Sequence, residues 1–383
     1  MGASSSCDQH GPVVRPPVGA WIEDALLYCD PPFGPPRCTH RDGTEEGDMA
    51  NTSRELSKAR KQKKDEFYTQ LSDIAEELRH YKEHFRGKTV LCNRDDPRVS
   101  NFFHYFAYQF EALGLKRLIT TCYKNQTPDL FSQHDCERAI SLVYDGDKNG
   151  NRVPDPEEIG IHELQGDGDF RSPECIELLM QADIVVTNPP FSLFREYVGE
   201  LVRHEKKFLI LGNVNAITYK EIFPLIQDNQ LWLGASIHSG DREFGVPVDY
   251  PLESTSFRID TDGNRFIRVK GVRWFTNLDY HERHEDIILY KTYNPTDNPR
   301  YDNYDAIEVG KTGDIPMDYD GLMGVPITFL DKYNPSQFEI IGCSDNGAVP
   351  DEYKLPHFKK HNEPFINGQK VYKRIFIRRR NPA

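Results

Sequence analysis

Residues 183–194 read DIVVTNPPFSLF, an apolar run that stops at a polar residue, two prolines and an aromatic ring. The first five residues have the pattern of a buried strand. Proline has a locked φ and restricts the residue before it, so the carbonyls that follow the strand are held in place without further ordering cost. The stretch therefore predicts a rigid set of hydrogen-bond acceptors where a strand leaves its sheet.

The chain on either side of this stretch alternates between helical and strand patterns. Apolar residues recur at helical spacing from Leu71 to Phe85 and from Val99 to Leu113. Short apolar runs lie between the helices at 89–92, 117–121, 183–187, 207–212 and 231–234. This order predicts an α/β fold with a doubly wound, mostly parallel sheet, of the Rossmann-like type. Ligands bind such sheets at the carboxyl ends of strands, and Asn188 lies just past such an end.

The acceptors after the strand suit one demanding reaction. Methyl transfer from a sulfonium to an exocyclic aromatic amine is hard because the nitrogen lone pair is delocalised into the ring. Two acceptors on the amine N–H groups would draw the nitrogen toward tetrahedral geometry and stabilise its developing charge. The side-chain oxygen of Asn188 and the carbonyl of Pro189 can be those acceptors, with Pro190 stiffening the turn. Phe191 offers a face on which a flipped base can stack, which completes a candidate catalytic motif.

A second tetrapeptide of the same chemical type, Asp30-Pro31-Pro32-Phe33, has no strand ahead of it. It lies in residues 1–48, which hold seven of the 26 prolines and three of the eight cysteines. We predict that residues 1–48 are disordered or an over-extended start, and we assign this tetrapeptide no catalytic role.

The rest of the chain divides into two predicted regions. We predict a catalytic and cofactor-binding domain at 49–235 and a target-recognition, DNA-binding region at 236–383, part of which can return to the catalytic sheet.

Charge and cysteine usage bear on what the protein binds and on its cellular compartment. The net charge of -13 argues against a simple nucleic-acid binder, but basic residues crowd 54–64 and 351–383. The second segment ends in RIFIRRR, where Arg378, Arg379 and Arg380 could clamp a phosphate backbone; the alternative is a solvated basic face. The cysteines are scattered, and no run approaches the roughly 18–20 apolar residues of a membrane span, so we predict a cytoplasmic protein.

A basic hairpin is predicted at 257–273, FRIDTDGNRFIRVKGVR, because Asp262-Gly263 separates two short apolar-containing runs. A two-stranded basic ribbon can enter the major groove, where arginine contacts guanine edges or phosphates. The alternative is an exposed hairpin with scattered charges. The candidate DNA-binding residues of this segment are Arg258, Arg265, Arg268, Lys270 and Arg273.

Eight phrases, in order along the chain, resemble those of the EcoRI-type adenine-specific DNA methyltransferases of type II restriction-modification systems. They are KKDEFYTQLSDI, NRDDPRVSNFF, LITTCYKN, GDGDFRS, DIVVTNPPFSLF, NVNAITYKE, YDNYDAI and GLMGVPITFLDKYNPSQFE, between about residues 52 and 342. The resemblance implies an S-adenosylmethionine-dependent enzyme that flips adenine out of duplex DNA and methylates its N6. The family name implies GAATTC as the recognised site.

The resemblance also assigns roles to residues. Asn188, Pro189, Pro190 and Phe191 match the catalytic motif. A glycine-free stretch stands where the cofactor strand normally ends in a glycine-rich loop, and there Asp95 or Asp96 is expected to receive the cofactor's amino group. The implied cofactor-binding residues are Phe67, Tyr68, Thr69, Asn93, Asp95, Asp96, Pro97, Asp169 and Phe170.

Two motifs resemble metal sites but lack required ligands. The segment from Asp145, DGDKNGNRVPDPEE, has Pro156 where a calcium loop needs glutamate, so we predict a polar hairpin tip within a polar excursion from about 123 to 160. HERHE at 281–285 lacks zinc-protease spacing, and we predict no metal.

Three functions stay open at this point. The first is the adenine-N6 DNA methyltransferase, a monomer whose partners are double-stranded DNA and, without a stable complex, a cognate restriction endonuclease. The second uses the same acceptors on guanine N2 of RNA or on a protein glutamine. The third is a DNA-binding protein of the same fold that has lost catalysis. The glycine-free cofactor stretch and the residues after the core favour the first, and the intact motif argues against the third.

Overall fold

The computed structural model describes residues 68–93, 100–122, 139–151, 154, 158–238, 241–246, 257–261, 263–345, 348–356 and 362–380. All of them belong to one compact unit, Glu46–Ala383. The tetrapeptide at 30–33 and the candidate cofactor residues Phe67, Asp95, Asp96 and Pro97 lie outside the described residues. Within the described ranges, none of the helices has the length and apolar character needed to cross a membrane.

The structure contains the following elements, in chain order. The strands are β1 (Tyr68–Thr69), β2 (Thr89–Asn93), β3 (Arg117–Cys122), β4 (Ile140–Tyr144), β5 (Ile159–Glu163), β6 (Ile184–Thr187), β7 (Lys207–Asn213), β8 (Trp232–Leu233), β9 (Asp241–Val246), β10 (Phe257–Ile259), β11 (Arg265–Lys270), β12 (Val272–Thr276), β13 (Ala306–Glu308), β14 (Leu322–Pro326), β15 (Phe338–Cys343), β16 (Phe365–Ile366), β17 (Gln369–Lys370) and β18 (Arg374–Arg379). The helices are α1 (Leu71–Leu78), α2 (Lys82–Phe85), α3 (Asn101–Tyr108), α4 (Phe110–Leu113), α5 (Pro173–Gln181), α6 (Phe194–Arg203) and α7 (Phe223–Gln227). Short 3-10 segments cover Phe191–Leu193, Val214–Thr218, His281–His284, Thr312–Asp314, Ile327–Lys332 and Asp351–Tyr353.

The main sheet has the strand order β5-β4-β3-β2-β6-β7-β12-β8. Its central strands β3, β2, β6 and β7 are parallel. The pairs β3/β4, β4/β5, β7/β12 and β12/β8 are antiparallel. The prediction of a mostly parallel sheet is therefore correct for the centre only, because a hairpin extends one side and β12 separates β7 from β8 on the other.

Both faces of the main sheet are covered, because successive side chains of a strand point to opposite faces. Val90 and Cys92 of β2 belong to a core that includes α1 to α4, whereas Leu91 belongs to a second core with α5 to α7. Two of these helices begin at serine caps. Ser100 accepts from the N–H of Phe103 at 3.3 Å, and Ser172 does the same at the start of α5.

Two smaller sheets pack on this centre. The first, β1-β9-β11-β10, is antiparallel, and its apolar residues join the α1 to α4 core. The predicted hairpin is confirmed within it, with Phe257 opposite Ile267 and Gly263 at φ 84°. The second, β13-β14-β18-β15, packs on the opposite face with α5 to α7. The tight turn at Gly271 joins β11 of the first small sheet directly to β12 of the main sheet.

The polar excursion predicted from 123 to 160 contains two strands that the sequence pattern missed. β4 and β5 form an antiparallel hairpin with Tyr144 opposite Ile159. The predicted polar tip between them is confirmed, and backbone N–H groups bind its acids. Glu158 accepts from the N–H of Lys148 at 2.6 Å, and Asp147 accepts from that of Gly150 at 2.6 Å.

Candidate active site

The carboxyl ends of β3, β2, β6 and β7 meet at one edge of the main sheet, the catalytic edge hereafter. The chain leaves β2 toward β3 on one side and later enters β6 on the other side, so the strand order switches between β2 and β6. Asn188 follows β6 at this switch and is 8% exposed. Open α/β sheets bind ligands in the crevice at such a point. The candidate catalytic motif thus lies at the binding edge of the sheet.

The two prolines of the motif differ in what their carbonyls do. The carbonyl of Pro190 accepts from the N–H of Leu193 at 2.9 Å and so starts the 3-10 turn that leads into α6. This contact makes the carbonyl of Pro189 the better placed second acceptor beside the side chain of Asn188. Phe191 is half-buried and packs against the α1 to α4 core.

Side-chain hydrogen bonds link three neighbouring strand ends at the catalytic edge. The hydroxyl of Thr187, at the end of β6, donates to the carbonyl of Asn93, at the end of β2, at 2.6 Å. The hydroxyl of Thr121, at the end of β3, donates to the side-chain oxygen of Asn93 at 3.2 Å. Asn93 was predicted to bind the cofactor. The structure places two of its oxygens in contacts between strands.

The candidate cofactor residues Tyr68 and Thr69 form β1, which pairs through its backbone with β9. The side chain of Asn101, the first residue of α3, donates to the carbonyl of Thr69 at 2.7 Å. Because α3 is the helix that follows β2, this contact holds β1 beside the end of the expected cofactor strand. The cofactor-binding role of Tyr68 and Thr69 stays a prediction.

Asp169 and Phe170, which the resemblance implies bind the cofactor, both contact Arg171. The carboxylate of Asp169 accepts from Arg171 through Nε at 2.9 Å and Nη2 at 2.8 Å, while Arg171 Nη1 contacts Glu196 at 2.7 Å. The ring of Phe170 is 2% exposed and contacts both the ring of Tyr197 and the guanidinium of Arg171. The contact of Arg171 with Glu196 ties this loop to the start of α6, just after the catalytic motif.

The predicted basic residues of the hairpin divide between two faces. Arg258 lies opposite Phe266, and Arg268 and Lys270 follow Phe266 at alternate positions, so these three basic residues share the outer face. Arg265 shares the inner face with buried Ile267. The guanidinium of Arg258 stacks over Phe266 at 4.4 Å from the ring centroid.

Arg273 does not belong to this surface, contrary to the prediction. It lies on β12 inside the main sheet and is 4% exposed. Its guanidinium contacts Asp331 through Nε at 2.8 Å and Nη2 at 3.1 Å, and it donates to the carbonyls of Val272 and His238. Burial raises the pKa of Asp331, and Arg273 opposes that rise. Arg273 is therefore the partner of a buried carboxylate and has no surface to offer DNA.

The C-terminal arginines lie away from the catalytic edge. Lys373, just before β18, contacts Thr218 beyond the end of β7, so β18 starts at that edge. Arg378 to Arg380 are five to seven residues further, or roughly 15–25 Å along an extended strand. Arg378 binds Glu339, Arg379 the carbonyl of Met317 and Arg380 the carbonyl of Phe338. These positions argue against the predicted phosphate clamp.

A buried carboxylate that the sequence pattern did not indicate joins α1 to the segment after β8. Glu77 of α1 is fully buried and accepts from the N–H groups of Ala235 and Ser236 at 2.8 and 2.7 Å. The hydroxyl of Tyr81 donates to it at 2.8 Å, and burial raises the pKa of that phenol. A Cβ on Gly234 would lie 2.2 Å from the carboxylate. The available signal was an acid inside the apolar stripe of a helix.

Comparisons with known proteins identify the family of the chain. The family described as "Adenine-specific methyltransferase EcoRI" matches residues 55–380. The chain is 49% identical over 329 residues to the type II methyltransferase M.EcoRI of Escherichia coli, covering 85% of this chain and 97% of that protein. It is 39% identical to M.MgeORF184P of Mycoplasma genitalium and to M.MpnI of Mycoplasma pneumoniae, each over 85% of this chain and 98% of the relative. No solved structure matches. The chain belongs to the EcoRI family of adenine-specific methyltransferases, as its sequence phrases indicated.

Proposed function

We propose that this adenine-specific DNA methyltransferase of the restriction-modification type transfers a methyl group from S-adenosylmethionine to N6 of an adenine flipped out of duplex DNA. One observation carries the proposal: Asn188 and Pro189 follow a central parallel strand at the point where the strand order switches. The doubly wound methyltransferase architecture belongs to the same proposal and is supported by cores on both faces of the sheet.

The residues near the end of β2 fit the methyl donor. Thr69 is 4% exposed, and within the described residues its hydroxyl has no hydrogen-bond partner, so it can serve a polar group of a ligand. Tyr68 precedes it on β1. S-adenosylmethionine supplies an electrophilic methyl group on a sulfonium. The role of this chain is to bring the acceptor amine into line with that methyl group.

The acceptor motif acts on the amine. The side-chain oxygen of Asn188 and the carbonyl of Pro189 each accept one N–H of the adenine amino group, which directs the nitrogen lone pair toward the methyl group. Both oxygens also stabilise the positive charge that develops on the nitrogen. Phe191 contacts the flipped base through the exposed part of its ring. A base still stacked in the duplex cannot reach this crevice, which is why flipping is part of the proposal.

The outer face of β9, β10 and β11 is the proposed DNA surface. It carries Arg258, Arg268 and Lys270, and Gly271 joins it to β12 at the catalytic edge. The guanidinium of Arg258 is oriented by Glu243, with Nη2 at 2.6 Å from the carboxylate. We propose that this face contacts the major groove or the backbone beside the target adenine. The domain division at about 235, a monomeric enzyme and a cognate endonuclease remain predictions from the sequence, as does a cytoplasmic location.

The test is transfer of labelled methyl from S-adenosylmethionine to duplexes with and without GAATTC, followed by digestion to nucleosides. We expect N6-methyladenine in the GAATTC duplex alone. Loss of one positioned hydrogen-bonding group at a reacting centre typically lowers the rate by a factor of about 10²–10³. The rate of methyl transfer by Asn188→Ala should fall by that factor. Asn188→Asp keeps an acceptor oxygen at the same place and should retain more activity than Asn188→Ala.

An unchanged rate in Asn188→Ala would remove the catalytic assignment. Label on guanine N2 of RNA or on protein glutamine, with none in DNA, would mean that the same two acceptors act on those substrates and not on adenine. Binding of GAATTC duplex with no methyl transfer to any acceptor would indicate a DNA-binding protein without catalysis.

A further inference from the structure

We infer that Thr187 and Asn93 are positioning residues for methyl transfer, which fix the strand carrying the acceptor motif against the strand that leads to the cofactor. The inference rests on the proposed function and deepens it. The role inferred here for Asn93 uses its carbonyl and its side-chain oxygen and is separate from the cofactor contact that the resemblance implies for it. In this role both residues act through Asn188, the residue that follows Thr187.

The register of the two strands brings these residues together. The parallel strands β2 and β6 pair Val90 with Ile184 and Leu91 with Val185. Continued by two residues, the same register sets Asn93 opposite Thr187 at the catalytic edge. There the Thr187 hydroxyl donates to the Asn93 carbonyl at 2.6 Å. This hydrogen bond therefore spans the floor of the crevice between the two strands where the strand order switches.

Asn93 is held from its other side as well. The hydroxyl of Thr121 on β3 donates to its side-chain oxygen at 3.2 Å. Thr121, Asn93 and Thr187 are 1%, 3% and 0% exposed, so water does not compete for these contacts. A hydrogen bond in such a setting is stronger than one at the surface, and its loss leaves a buried polar group behind. These two hydrogen bonds thus fix the end of β2 relative to the ends of β3 and β6.

The distance between the ends of β2 and β6 matters because Asn188, the proposed acceptor, directly follows Thr187. Thr187 and Asn188 are consecutive, and the two prolines that follow have a locked φ, which limits how far the backbone can absorb a shift. A movement of the β6 end is therefore passed to the side chain of Asn188 and the carbonyl of Pro189. Misplacement of a reacting group by about 1 Å can cost about 10²-fold in rate.

The experiment compares Thr187→Val, which keeps the shape of the side chain and removes the donor, with Thr187→Ser, which keeps the donor. Thr120→Val is the matched control. Thr120 is the neighbour of Thr121 on β3 and is 0% exposed, but within the described residues its hydroxyl has no hydrogen-bond partner. Each full-length variant is measured for single-turnover methyl transfer to a GAATTC duplex, for equilibrium binding of S-adenosylmethionine and for thermal unfolding.

We expect Thr187→Val to transfer methyl about 30- to 100-fold more slowly, with the dissociation constant for S-adenosylmethionine changed by less than about threefold. Thr187→Ser should return to within about fivefold of the wild-type rate, because a shorter side chain carries the same donor. Thr120→Val should react at the wild-type rate.

Four results would overturn the inference: a wild-type rate in Thr187→Val, a Thr187→Ser variant as slow as Thr187→Val, equal slowing in Thr120→Val, or cofactor binding that weakens in step with transfer. These differ from a failure of the proposed function. That failure appears as a wild-type enzyme without adenine methylation or as a fully active Asn188→Ala. An active wild type with an inactive Asn188→Ala and a fast Thr187→Val overturns the positioning role alone.

Discussion

Arg268 and Arg273 lie five residues apart, on strands joined by one tight turn, and their surroundings are opposite. Arg268 is exposed on the outer face of β11. Arg273 is buried in β12, where it binds Asp331. The chain passes from a surface ribbon into the middle of the catalytic sheet at Gly271. A run of basic residues therefore does not define one surface, because the turn between two strands decides which side chains reach solvent.

The difference also separates two kinds of electrostatic contact. A charge on the ribbon is screened by water and salt and contributes to binding a polyanion. A charge inside the sheet has lost its hydration, so it depends on its partner. Substitutions on the two sides of Gly271 should therefore change different properties of the protein.

The largest effect is expected at the buried pair. Arg273→Ala leaves the carboxylate of Asp331 buried and unpaired, which typically costs about 3–5 kcal/mol in unfolding free energy. Burial raises the pKa of Asp331 and Arg273 opposes that rise, so without Arg273 the carboxyl should take up a proton more readily, and the loss should shrink as pH is lowered. Denaturant unfolding between pH 5 and 8 measures both. The double variant Arg273→Met, Asp331→Leu should recover most of the stability, and a stable Arg273→Ala would show that the pair is dispensable.

The next effect is expected at the turn. Gly271 has φ 69°, and an added Cβ would lie 2.9 Å from Val214. Gly263 at the hairpin tip has φ 84° and open space around it. Each change to alanine should cost about 1–2 kcal/mol for the left-handed backbone. Thermal unfolding should show an additional loss in Gly271→Ala only, and equal losses would mean that Val214 moves aside freely.

A smaller effect, on binding alone, is expected from the ribbon. Arg268→Ala should leave thermal stability unchanged and weaken duplex binding by several-fold, with the salt dependence of log Kd reduced by about one unit if the side chain contacts one phosphate. Arg203→Ala is the control, since Arg203 ends α6 on the side away from the catalytic edge. Titrations at several salt concentrations compare them. An unchanged salt slope in Arg268→Ala would exclude a phosphate contact.

The smallest effect is a pH dependence of the Arg258–Glu243 pair. The hydrogen bond from Arg258 holds the pKa of Glu243 below its ordinary value. The pair therefore stabilises the ribbon above the unfolded pKa of about 4.3, and this contribution is lost as pH falls through the lower folded value. Unfolding of the wild type and Glu243→Gln from pH 3 to 7 should converge at the acidic end. Parallel curves would show that the pair does not contribute.

Much of the catalytic sheet was predictable because its central strands are buried on both faces. The runs at 89–92, 117–121, 183–187 and 207–212 all became strands of the parallel centre. β5 could not be found in this way, since it is an edge strand and Ile161 is 63% exposed. The place of β12 was hidden for another reason. Its pairing with β7 joins residues about 60 apart, which no local pattern reports.

The candidate site divides in the same manner. Asn188 and the prolines were found because an unusual sequence follows a clear strand. The contacts of Asn93 with Thr187 and Thr121 depend on the register of three strands, and Glu77 depends on a loop 158 residues away. A residue whose role depends on its own segment could be identified from the sequence. A residue whose role depends on contact between two or three segments could be identified only from the folded structure.

The segment 235–271, which contains β9, β10 and β11, has its two ends close together. β8 before it and β12 after it are neighbouring strands, and the N–H of Gly234 donates to the carbonyl of Trp274 at 2.9 Å. A segment whose two ends are adjacent can change length at a cost of only about 0.6 kcal/mol per doubling of its loop. An insertion within residues 235–271 that leaves their strands in place should therefore cost little in chain entropy. The strands of the segment are attached to the rest of the protein by the backbone pairing of β1 with β9, by the N–H groups that bind Glu77 and by apolar side chains in the α1 to α4 core, so a replacement would have to keep these contacts.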